Sequence, residues 1–161
     1  MMMKLSCEVI KALQGRTLAT AESCTGGGIG AAITAVSGSS AVYKGGIISY
    51  TNQVKEALLG VPHDVLEREG AVSAPVAEAM AMGARNELQA DIAVSVTGLA
   101  GPGGDDYGNP VGTVFIGYCD AVTCCVRKFL FSGDRQSVRE QSVKAALQLI
   151  LEHNVKKKDL P

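Results

Sequence analysis

Apolar positions fall into runs of two periodicities, separated by clusters of Gly, Pro and Ser. Leu5, Val9, Ala12 and Leu13 recur at helical spacing and stop before Gly15, which predicts a helix over Leu5–Leu13. Thr17–Ala21 has the short apolar character of a buried strand. The small residues of Gly28–Val36 suit a helix closed by Ser37-Gly38-Ser39-Ser40, and Gly45–Tyr50 predicts a second strand. Asn52–Leu59 and Pro62–Glu69 read as two short helices split at Gly60-Val61-Pro62. Ser73 is placed to cap a helix over Ala74–Leu88, with Pro75 in its first turn. Asp91–Thr97 is a β-branched, buried strand, and Gly98–Pro110 a long loop rich in Gly, Pro and Asp. Val111–Tyr118 and Val122–Phe131 form an expected antiparallel pair, followed by an amphipathic helix over Asp134–Glu152. The tail KKKDLP reads as a solvated, frayed end.

This order implies a mixed sheet with helices on both faces, in a single domain over residues 1–161. In open α/β sheets ligands gather beyond strand ends. The Gly-rich segments after Glu22 and after Thr97 occupy such positions and are candidates for one shared crevice.

Composition narrows the function classes. Hydrophobic residues make up 47% and charged residues 19%, a globular rather than a disordered balance. The net charge of −1 supplies no global basic field for nucleic acid or an anionic membrane surface, although a phosphate-bearing small molecule needs only one local cation. Five cysteines, with one adjacent pair and no C-x-x-C spacing, argue against a disulfide framework and against a zinc site. His63 and His153 stand far from any cysteine in sequence, and no structural metal is expected. No apolar run approaches the roughly 20 residues of a membrane span, and the N-terminus lacks a signal-like apolar region. The expected location is the cytoplasm.

The richest segment is LATAESCTGGGIG, from Leu18 to Gly30. Gly26-Gly27-Gly28-Ile29-Gly30-Ala31 satisfies G-x-G-x-x-A, but no carboxylate follows at the end of the next strand to hold a ribose. A dinucleotide loop is therefore disfavoured, and Gly101-Pro102-Gly103-Gly104 likewise lacks the Lys-Ser/Thr of a P-loop. Ser23 or Thr25 would serve as a helix cap worth about 1 kcal/mol, yet a cap needs only one hydroxyl. The surplus points to a nucleophile at a strand-to-helix turn, where free amides can hold an oxyanion or a phosphate. Neither histidine forms a plausible triad with Ser23, so the expected base is a lysine. Lys55 sits in the first turn of a helix, where a cation opposes the helix dipole, so local helix stability does not explain it. Arg135 is a second first-turn cation, placed either to pair with Asp134 or to fork a phosphate or carboxylate.

Five ordered motifs carry a resemblance: Ala21-Glu22-Ser23-Cys24-Thr25-Gly26-Gly27, Gly70-Ala71-Val72-Ser73, Thr97-Gly98-Leu99-Ala100-Gly101-Pro102-Gly103, Pro110-Val111-Gly112-Thr113-Val114 and Phe131-Ser132-Gly133-Asp134-Arg135. Together they closely resemble the CinA C-terminal domain family, the nicotinamide-nucleotide amidohydrolases, from about Leu5 to Leu151. The resemblance implies a three-layer α/β/α fold with a mixed, mostly parallel sheet, usually as a homodimer. It implies hydrolysis of the carboxamide of nicotinamide mononucleotide to nicotinic acid mononucleotide and ammonia, in pyridine nucleotide salvage, with no metal or organic cofactor. Ser23 matches the family nucleophile, Lys55 its base, and Tyr50 a tyrosine that relays or steadies the proton. Thr97 and Arg135 match substrate-contacting positions, with Arg135 as counter-ion of the phosphate. Backbone amides around Thr25, Gly26 and Gly27 would hold either the oxyanion or the phosphate. The family often carries an additional N-terminal domain related to molybdopterin-binding proteins. No such segment precedes the first motif here, and its activities are not carried over. Residues 104–109 match no motif, leaving closure over a ligand, contact with a partner subunit, or neither. The alternative to an amidase is a non-catalytic nucleotide-binding or regulatory module of the same fold.

Overall fold

A computed structural model of the chain describes residues 1–155; the KKKDLP tail, expected to fray, lies outside them. The elements run α1 (Met2–Ala12), β1 (Leu18–Glu22), α2 (Gly28–Thr34), β2 (Tyr43–Ile48), α3 (Asn52–Leu59), α4 (His63–Glu69), α5 (Ala74–Glu87), β3 (Ile92–Gly98), β4 (Thr113–Cys119), β5 (Cys124–Leu130) and α6 (Arg135–Asn154). One five-stranded sheet has the order β2-β1-β3-β4-β5. β1 pairs in parallel with β2 and β3, and β4 is antiparallel to both β3 and β5. The sheet is thus mixed, with half of its pairings parallel.

Strand alternation divides the core into two layers. Leu18, Ile92, Val94, Val96, Val114 and Ile116 face α1, α2 and α6. Ala19, Ala21 and Ala93 face α3, α4 and α5, represented by Leu59, Leu66, Val76 and Met80. The second face is built from small residues because α5 lies close against it. A Cβ at Gly117 would stand 2.6 Å from the Ala77 carbonyl oxygen of α5, and Ser95 Oγ donates to that same oxygen at 2.5 Å.

Several boundaries move from their expected places. β2 begins at Tyr43 and ends at Ile48, so Ser49 and Tyr50 leave the strand. Ser49 N still donates to the Glu22 carbonyl, and the chain then peels away from the sheet. β4 starts at Thr113 because Pro110 and Gly112 form a turn that bonds Leu99 and Phe131 instead. The first helix starts at Met2 rather than Leu5.

The expectation against disulfides is corrected at one position, since Cys119 and Cys124 are bonded to each other. The β4–β5 register sets them directly opposite, with Cα atoms 4.2 Å apart. That proximity comes from strand pairing and is invisible to a count of cysteines. Among the described residues no helix is long and apolar enough to cross a membrane, and no group of three His, Cys, Asp or Glu is placed to hold a metal ion.

Candidate active site

Ser23 is the first residue beyond β1, and its amide still donates to the Val96 carbonyl of the neighbouring strand. The nucleophile candidate is therefore attached to the centre of the sheet. The turn that follows is held from two sides. Beneath it, the buried Glu22 carboxylate accepts from Thr25 Oγ1 at 2.7 Å, Ile29 N at 2.8 Å, Gly30 N at 3.0 Å and Thr20 Oγ1 at 3.3 Å. An acid from the strand, not a hydroxyl from the turn, thus satisfies the first amides of α2 and faces the positive end of that helix. From α6, Arg139 Nε donates to the Cys24 carbonyl at 3.0 Å and Nη2 to the Thr25 carbonyl at 3.2 Å.

Lys55 is the least expected buried side chain. Thr51 caps α3, and Lys55, one turn in, is only 1% exposed. Its Nζ donates to Ser23 Oγ at 3.1 Å and to the Ser49 carbonyl at 2.7 Å, with the Tyr50 carbonyl at 3.5 Å. The departure of Ser49 and Tyr50 from β2 is what turns these carbonyls toward the ammonium. Burial lowers the Lys55 pKa from 10.5 to about 8, with the Cys24 thiol opposing the change weakly. Cys24, also buried, is pushed the other way, to about 11.

Beside this pair lies a cavity of about 480 Å³ that Ser23, Lys55, Tyr50, Thr97 and Arg135 line together with the loop Gly98–Gly104. The two segments meet at one crevice, the first of them only through Ser23 and Cys24 and not through its glycines. Arg135 stands at its rim, where Nη1 donates to the Gly101 carbonyl at 2.8 Å and Nη2 to Tyr50 Oη at 3.0 Å. Asp134 does not pair with it; its carboxylate caps α6 through Ser137 N at 2.9 Å.

Two expected placements change. Tyr50 is 61% exposed and its hydroxyl contacts Arg135, while only its backbone carbonyl reaches Lys55. Thr25, Gly26 and Gly27 do not line the cavity. Thr25 is buried and its hydroxyl is committed to Glu22, because the α2 terminus is turned inward against that carboxylate. Thr97 does line the cavity, and its hydroxyl proton goes to the Ala71 carbonyl at 2.7 Å. The roles of Glu22 and Arg139 escaped the sequence reading. For Arg139 the available signal was its four-residue spacing from Arg135 on one helix face.

Residues 104–109 pack against the end of α4 and the segment that joins it to α5. The Tyr107 ring rests on Gly70, where a Cβ would come within 2.6 Å of it, and Gly70 has φ +77°. Tyr107 Oη donates to the Glu67 carbonyl at 2.7 Å, and Asn109 Nδ2 to the Val72 carbonyl at 3.1 Å. This end of the loop anchors the segment whose other end, Gly98–Gly104, walls the cavity.

The CinA C-terminal domain model matches residues 2–154. The chain belongs to the CinA C-terminal domain family. A CinA-like protein of Geobacter sulfurreducens is 49% identical over 134 residues, covering 83% of this chain and 32% of that protein. Another, from a Synechococcus species, is 50% identical over 150 residues, covering 91% and 36%. The chain therefore spans about a third of the length of these CinA-like relatives. A crystal structure of a CinA superfamily protein from Escherichia coli superposes with a TM-score of 0.93 at 34% identity, covering 95% of this chain and 90% of that one. The competence/damage-inducible protein CihA of Agrobacterium tumefaciens gives 0.92 at 37% identity, covering 95% of both chains. The mixed sheet flanked by helices is the CinA arrangement.

Proposed function

We propose that this CinA domain is an amidohydrolase that converts nicotinamide mononucleotide to nicotinic acid mononucleotide and ammonia. The observation that carries the reading is the buried lysine whose ammonium lies 3.1 Å from a serine hydroxyl at the edge of a cavity. A lysine held near 8 by burial has a neutral fraction at working pH and can act as a base.

Neutral Lys55 takes the Ser23 proton as Oγ attacks the carboxamide carbon. The carbonyl π bond opens to an oxyanion, and the Ile29 and Gly30 amides are unavailable to it because Glu22 occupies them. The amide of Cys24, a residue that lines the cavity and whose N–H takes part in none of the backbone bonds of the turn, is the donor in this proposal. Collapse breaks the C–N bond, and the nitrogen leaves as ammonia with the proton from Lys55. Water then gives a proton to Lys55, attacks the acyl-serine ester and releases the acid, and Ser23 regains its proton. Arg135, braced by Gly101 and Tyr50, is the counter-ion for the phosphate. Tyr50 thus acts on Arg135 and is not assigned a proton relay. No metal or organic cofactor enters the scheme.

The test is ammonia release from nicotinamide mononucleotide by the purified protein. Ser23→Ala should lower turnover by about three orders of magnitude or more while the circular dichroism spectrum is unchanged. Ligand-induced thermal stabilisation with no ammonia at any enzyme concentration would assign the domain as a non-catalytic nucleotide-binding module instead.

A further inference from the structure

We infer that the Lys55 end of the cavity is a carboxylate-binding site, so that the acid product holds the enzyme more tightly than the amide substrate. The inference rests on the amidase reading above and concerns the same cavity.

Lys55 is an almost fully buried ammonium whose partners are all neutral: one hydroxyl and two backbone carbonyls. A buried cation of this kind lacks the counter-ion that normally offsets its lost hydration. The groups around it do not supply one. From the β1–α2 turn come Ser23 and the Cys24 thiol, with Glu22 behind them spread over four donors. The end of β2 contributes carbonyls and the Tyr50 hydroxyl, which faces Arg135. From α6 come two further cations, Arg135 and Arg139, both directed at carbonyls. On α3 itself, Glu56 turns outward to His63 at 2.6 Å. Among the described residues the cavity wall carries two cations and no carboxylate.

A neutral carboxamide offers this ammonium only a dipole. The acid formed from it carries a full negative charge, and it forms beside Ser23 Oγ, the atom to which Lys55 is already hydrogen-bonded. With its phosphate at Arg135, the acid is matched by a cation at each end, whereas the amide is matched at one. Protonated Lys55 is also the form unable to start catalysis. Product and proton therefore stabilise the same resting state of the site, and inhibition by the acid deepens as pH falls.

The experiment uses Ser23→Ala, which binds without turnover and retains Lys55 and Arg135. Calorimetric titration with nicotinic acid mononucleotide and with nicotinamide mononucleotide at pH 6.5 and 9.5 gives four affinities. At pH 6.5 the acid should bind about ten- to hundredfold more tightly, the range of a charged hydrogen bond over a neutral one. The preference should fall below about fivefold at pH 9.5, and below the same limit at pH 6.5 when Lys55→Met is added. Phosphate ionisation is common to both ligands and cancels in the ratio. If the double variant fails to fold, the pH comparison alone decides. Equal binding of acid and amide at pH 6.5 would overturn the carboxylate site and leave the amidase reading standing. Binding of neither ligand, with no ammonia from the wild type, would overturn both.

Discussion

Replacing Lys55 by Met should abolish activity and make the protein more stable at neutral pH. The reasoning starts from burial: the ammonium is 1% exposed, and its pKa falls from 10.5 to about 8. At about 1.4 kcal/mol per pH unit, the protonated side chain costs the folded state about 3 kcal/mol. Met fills a similar volume without a charge but leaves the Ser49 carbonyl unpaired, which returns about 1 kcal/mol of that gain. The expected net stabilisation is about 2 kcal/mol, or about 4–8 °C in Tm for a domain of this size. The pH dependence follows from linkage. Below pH 8 the lysine is protonated in both states and the penalty is complete. Between about 8 and 10.5 the unfolded chain binds more protons, so wild-type stability rises with pH, and above 10.5 the penalty is gone. Urea denaturation of both proteins from pH 6 to 10.5 should show Lys55→Met ahead at the low end and losing its advantage at the high end. A variant that is less stable at pH 7, with a difference from wild type that does not change with pH, would refute the buried-ammonium argument.

Three further outcomes follow from the same geometry. Because the base must be neutral, kcat/KM for ammonia release should rise about tenfold per pH unit below an apparent pKa near 8 and level off above it; a profile flat from pH 6 to 9 would exclude Lys55 as the base. Arg135→Gln should raise KM about ten- to hundredfold for the mononucleotide and change little for the riboside, which lacks the phosphate; steady-state kinetics on both substrates separates the cases. Arg139→Met releases the Cys24 and Thr25 carbonyls and should lower kcat about tenfold or more at nearly constant KM, whereas an effect on KM alone would place Arg139 on the substrate rather than behind the nucleophile.

Much of the fold was legible because its signals are local. The helix capped by Ser73, the β-branched run of β3 and the glycine-rich turns are written in consecutive residues, and their order implies helices on both faces of a mixed sheet. Ser23 stood out for the same reason, as a hydroxyl in excess of capping needs, and Lys55 and Arg135 as cations at the wrong ends of helices. The partners of these groups are not local. Glu22 caps α2 across seven and eight residues, Arg139 reaches back more than a hundred residues to the Cys24 and Thr25 carbonyls, and Cys119 meets Cys124 only through strand register.

By itself, then, the sequence determined which candidate residues stand out: a serine, a lysine and an arginine at element ends, in motifs that name the family. The tertiary structure decided which atoms meet. It turned the α2 terminus away from the cavity onto Glu22, gave the Tyr50 hydroxyl to Arg135 rather than to Ser23 or Lys55, and buried Lys55 against carbonyls released by the early end of β2. The physical reason is that side-chain type is a property of one residue, whereas burial, hydrogen-bond partnership and the resulting pKa belong to the packed assembly of distant segments.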